Sequence, residues 1–160
     1  MLLKNIAIVI LFFNLTNYSY SAATSGGGTE SNYNQAIKLI KAAKKYESKD
    51  KIKKANKRYE RALKLLIKAN KKEPNQADTL NYLGFTSRKL GDLENGEKYY
   101  LLGLEIDPNH KGINEYLGEL YVVTNRYDLA NERLKVLEKC DCKEYNELLE
   151  VISGTKKSKY

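Results

Sequence analysis

The chain has 160 residues, 42% of them hydrophobic and 30% charged, with a formal net charge of +8. That length bounds it to about one domain, and the balance of apolar and charged residues excludes a disordered polypeptide. Tyrosine dominates the aromatics, with 13 Tyr against 3 Phe and no Trp, and tyrosine suits half-buried helix faces and contact surfaces.

Residues 1–23 read as a secretory signal peptide. Lys4 supplies a basic start, Ile6 to Phe13 is an unbroken apolar run of eight, and Ser21-Ala22-Ala23 offers small residues for cleavage before Thr24. Eight residues rise only about 12 Å as a helix, against a hydrocarbon core of about 30 Å. Retention as an uncleaved N-terminal anchor is the alternative, since no charge falls between Lys4 and Glu30. The expectation is export, to the periplasm or outside the cell. Residues 24–32, with glycines at 26, 27 and 28, form a flexible Gly/Ser linker.

A helical domain is expected over 33–153. The first helix, about Tyr33 to Tyr46, carries Tyr33, Ala36, Ile37, Ile40 and Ala43 on one face. The second, from Lys51 to about Lys72, carries Ile52, Ala55, Tyr59, Ala62, Leu66 and Ala69. Residues 38–73 hold 15 Lys/Arg against 4 Asp/Glu, a local charge of +11, whereas 74–155 hold 9 against 15, a local charge of −6. The basic half is either a solvated helix face or a surface for an anionic partner such as lipid headgroups or an acidic polymer. No nucleic acid is expected.

The remaining helices follow a ruler. Pro74 and Pro108, the only prolines, lie 34 residues apart, as do Leu83 and Leu117, Gly84 and Gly118, and Gly91 and Asn125. A period of 34 marks stacked helix–turn–helix units. The spacing predicts helices over about 76–90, 93–106, 110–123 and 126–139, with Leu80, Leu83, Gly84, Leu93, Gly96, Tyr100, Gly103, Ile113, Leu117, Gly118, Tyr121, Tyr127, Ala130, Leu134 and Leu137 facing in. Gly91 and Asn125 suit the left-handed turn between paired helices. Each proline is expected at the start of a helix. Asp141 and Glu144 have capping-box spacing before a last helix, about Cys142 to Ile152. The segments are thus a degenerate basic pair (33–73), two repeats (74–107 and 108–141), a capping helix (142–153) and a basic tail (154–160).

The two windows resemble the tetratricopeptide repeat (TPR) family, in Leu80, Leu83-Gly84, Gly91, Gly96, Tyr100, Gly103 and Pro108, then Leu117-Gly118, Tyr121, Asn125, Ala130 and Leu134. Tyr59, Ala62, Leu66, Ala69 and Pro74 carry the second-helix pattern of a preceding repeat. The resemblance implies an all-α fold, a right-handed superhelical stack of antiparallel helix pairs. It also implies that the first helix of each pair lines a concave groove for extended peptides or partner proteins.

Placed on that groove, the candidate residues are Asp78, Asn81, Phe85, Arg88, Lys89, Glu115, Glu119 and Val122. Asn81 suits a peptide backbone and Phe85 is expected as an exposed anchor. Arg88 and Lys89 suit an acidic group, and Glu115 and Glu119 a basic one. Cys140 and Cys142 are the only cysteines. They form a local disulfide, stay free or intermolecular, or act as a redox or soft-metal pair, with Cu(I) the metal such thiolates suit. His110 is expected as a surface or capping residue rather than a ligand. No catalytic constellation, phosphate loop or zinc spacing is present, so the sequence predicts a non-enzymatic scaffold without a cofactor.

Overall fold

The computed structural model describes residues 30–158. The predicted signal segment (1–23), most of the linker and the last two residues lie outside them. Seven helices make up the described chain: α1 (Asn32–Glu47), α2 (Ile52–Lys72), α3 (Ala77–Lys89), α4 (Leu93–Ile106), α5 (Lys111–Val123), α6 (Tyr127–Leu137) and α7 (Lys143–Ile152). Each odd helix packs antiparallel on the next even one, α2 meets α3, α4 meets α5, and α7 closes the stack against α5 and α6.

Small residues set the distances between helices. A Cβ added at Gly84 would stand 2.5 Å from Cε1 of Tyr100, a ring buried on α4. One added at Gly118 would stand 2.6 Å from Leu148 Cδ2, so this glycine admits the capping helix α7 rather than its own partner α6. Ala43, Ala55 and Ala62 are fully buried and do the same work between α1 and α2.

The turns explain the period and its break. Gly91 has φ +88° and Asn125 φ +59°, the left-handed conformation at equivalent points of two repeats. Asp50, φ +54°, occupies the same place between α1 and α2, but 41 residues before Gly91. The seven extra residues are the difference between α2, with 21, and α4, with 14. Seven residues are close to two turns at 3.6 per turn, so the inserted length leaves the buried stripe on one face. Counted from the turns, Ala55, Tyr59 and Ala62 correspond to Gly96, Tyr100 and Gly103, all buried.

Several expectations change. Ile52, Leu93 and Tyr127, placed on inward stripes, are exposed, because each begins its helix and its side chain reaches past the packed neighbour. Pro74 and Pro108 do not open helices; each follows a helix's last turn, and Glu73 and Asp107 before them hold non-helical φ of −132° and −133°, as a residue preceding proline prefers. Asp141 does not cap α7. Its φ is +44°, and Cys142 is the N-cap, without a side-chain hydrogen bond.

Candidate functional site

A groove of about 560 Å³ opens between α1, α3, α5 and α7, lined only from those helices and the turn ahead of α5. The longer second helices, α2 and α4, contribute nothing to it. Repetition builds it: Tyr82 and Tyr116 stand 34 residues apart and occupy the same position in two repeats.

The groove is hydrogen-bonding and charged rather than apolar. Asn81 is 6% exposed, and its Oδ1 accepts no hydrogen bond from the described residues. A Cβ at Gly112 would come within 2.9 Å of the Asn81 amide nitrogen, so the missing side chain on α5 makes room for this one. Burial and then Asp78 push the Tyr82 hydroxyl up, and burial, Asp78 and Tyr82 push that of Tyr33, at the N-terminal end of α1, to about 12. Both phenols stay neutral at physiological pH. Glu47, Glu115, Glu144 and Glu147 face Lys44, Lys89 and Lys143.

The predicted site residues divide. Asn81, Phe85, Lys89 and Glu115 line the groove. Phe85 is not an exposed anchor; it is 2% exposed and forms the floor. The edge of Tyr59 meets its ring at 6.0 Å, Tyr116 lies at 5.4 Å, and Lys44 Nζ stands 4.5 Å from its centroid. Helical spacing alone leaves Phe85 on a free face; Tyr59 of α2, Tyr116 of α5 and Lys44 of α1 cover it in the fold. Lys89 is drawn to α1, where its ammonium pairs with Glu47 Oε1 at 2.7 Å, while the Tyr59 hydroxyl donates to Glu47 Oε2 at 2.8 Å.

Arg88, Glu119, Val122 and Asp78 fall outside the groove lining. Arg88 is buried, donates to the Tyr116 carbonyl, and lies 6.0 Å over the Tyr100 ring. It joins two repeats instead of reaching for a ligand. Glu119 is fully buried, and its Oε2 accepts a hydrogen bond from the hydroxyl of Ser158 at 3.1 Å. The basic tail therefore folds back on α5 as far as that residue. Val122 packs with the core of the last repeat. Asp78 is exposed and accepts from His110 Nε2 at 3.2 Å, while His110 Nδ1 accepts from the backbone N–H of Ile113 at 3.1 Å. His110 is thus the N-cap of α5, with its proton on Nε2.

Sequence reasoning missed Tyr82, Tyr116 and the contributions of α1 and α7. The 34-residue echo of Asn-Tyr-Leu-Gly in Glu-Tyr-Leu-Gly was the signal that could have found the tyrosines. Cys140 and Cys142 are joined in a disulfide with Cα atoms 5.2 Å apart, at the entry to α7. Among the described residues no group of three or more His, Cys, Asp or Glu is placed to hold a metal ion, and no helix is long and apolar enough to cross a membrane.

No family model matches the chain, and no curated protein matches it in sequence. Solved structures do match it in fold. The first TPR of Spaghetti (RPAP3), bound to the HSP90 peptide SRMEEVD, superimposes with a TM-score of 0.55 at 17% identity, over 80% of this chain and 98% of that one. The Arabidopsis OM64 TPR domain gives 0.50 at 14% identity, over 79% and 100%. The Sgt2 TPR domain from Aspergillus fumigatus gives 0.50 at 17%, over 80% and 84%. With its helix pairs, small-residue contacts and closing helix, the chain has the tetratricopeptide-repeat fold.

Proposed function

We propose that the chain is a non-enzymatic scaffold that holds an extended segment of a partner protein in its concave groove, outside the cytoplasm. The observation that carries this reading is Asn81, almost wholly buried in the groove wall with an acceptor that no described residue satisfies. A buried polar atom without a partner costs free energy. The backbone N–H of an extended peptide is the donor it fits.

The partner differs from the peptide in the Spaghetti (RPAP3) structure. That peptide ends in Glu-Glu-Val-Asp. Here Arg88 is spent inside the fold and Lys89 is tied to Glu47. Four glutamates and three lysines line the groove, which suits a segment of mixed charge better than an acidic terminus. Action outside the cytoplasm rests on the sequence of residues 1–23.

A photo-crosslinking amino acid placed at Tyr82, and separately at Leu101 on the outer face, tests the groove in the native compartment. The reading requires a partner captured from position 82 and not from 101, with capture reduced about tenfold by Asn81→Ala. Equal capture from both positions, or capture indifferent to Asn81→Ala, refutes it. The intact mass of the exported protein tests cleavage before Thr24.

A further inference from the structure

The outward face of α2 carries a second surface. Lys53, Lys57, Arg61, Lys64, Lys68 and Lys71 recur every three or four residues and are all exposed. They form one stripe about 27 Å long at 1.5 Å per residue. Opposite them the helix buries Ala55, Tyr59, Ala62 and Leu66. Among the described residues none of the six has an ion pair or side-chain hydrogen bond; of the cations on this helix only Arg58 and Lys72 do. Glu60 is the one acid on α2.

We infer that this stripe docks the domain on a bilayer of anionic phospholipid headgroups. A straight row of cations on an outer helix meets a plane along its whole length. Ile67, about half exposed, flanks the row. Isoleucine gains by entering the headgroup boundary and gains nothing from a soluble polyanion. No exposed aromatic stands in the row, so base stacking has no platform there. The acidic later repeats are repelled by the same surface, which leaves α1–α2 lowermost and the groove open. The stripe shares no residue with the groove, and its loss leaves groove crosslinking from position 82 unchanged.

The test is partitioning of the full chain onto vesicles of equal parts phosphatidylglycerol and phosphatidylcholine, against phosphatidylcholine alone. The stripe variant is Lys57→Gln/Lys64→Gln/Lys68→Gln. Its control, Lys98→Gln/Lys111→Gln/Lys135→Gln, removes the same charge from exposed sites elsewhere. Each cation at such a surface is worth roughly fivefold in partitioning, so the stripe variant should lose roughly a hundredfold on anionic vesicles. The control should lose less than about fivefold. Ile67→Ser should weaken vesicle partitioning while leaving heparin binding unchanged. Equal losses for the two triple variants, no preference for anionic over neutral vesicles, or heparin binding without vesicle binding each overturn the inference.

Discussion

Gly84→Ala is the sharpest probe of the packing. In an open helix interior, alanine is about 1 kcal/mol better than glycine, so an unpacked site would be stabilised by that amount. Here the new methyl stands 2.5–2.8 Å from Cε1, Cδ1 and Cζ of Tyr100, well inside the 3.5–4.0 Å optimum for carbon contacts. Tyr100 is fully buried and has little room to retreat, and overpacking of this kind costs about 1–3 kcal/mol. The balance is a destabilisation of up to about 2 kcal/mol. Urea unfolding followed by circular dichroism measures it, with an unchanged slope showing that the native state alone is affected. Tyr100→Leu frees the space, so the double variant should recover at least about 1 kcal/mol of coupling. A Gly84→Ala protein more stable than the wild type, or additive effects of the two substitutions, would refute the close approach of α3 and α4.

Burial raises the phenols of Tyr59 and Tyr100 above the ordinary value, and for Tyr59 the hydrogen bond to Glu47 adds to it. The folded state therefore favours the neutral form. Its contribution is whole below about pH 10 and drains away as pH rises through the folded-state values. Tyr59→Phe should flatten this alkaline fall in stability, read from urea midpoints as a function of pH. Arg126 donates to Glu97 at 2.8 and 2.7 Å between α6 and α4. Both groups are partly exposed, so Glu97→Gln should cost about 0.5–1 kcal/mol and less in high salt, read from urea midpoints. The Cys140–Cys142 bridge closes a loop of only three residues, for which loop entropy gives at most about 2 kcal/mol. Cys140→Ser/Cys142→Ser should keep the fold and lower the melting temperature by a few degrees.

The repeat architecture was legible because its physics is local. Glycine and asparagine at 91 and 125 specify left-handed turns, and alternating small and large residues at helical spacing define one buried face. Helix bounds in the structure fall within two residues of those the pattern predicts. The first pair was harder to read for a definite reason. Seven added residues in α2 preserve the buried stripe but break the 34-residue ruler, so aligning on Pro74 set Ala62, Leu66 and Ala69 against Gly96, Tyr100 and Gly103. The turn at Asp50 aligns Ala55, Tyr59 and Ala62 there instead.

The sequence by itself determined the helices, their pairing, the basic stripe on α2 and the echo that places Tyr82 and Tyr116. Each of these depends on spacing within one helix or between equivalent points of two. Tertiary structure alone decided which polar face is open. Phe85 and Arg88 sit on the side of α3 that a lone helix would show to water, and neighbouring helices bury both. A periodic pattern records which face meets the partner helix, but not how closely the next repeat leans over the other side. That lean is fixed by contacts such as Gly118 with Leu148 and Gly112 with Asn81, made between residues up to 31 positions apart and visible only once the stack is assembled.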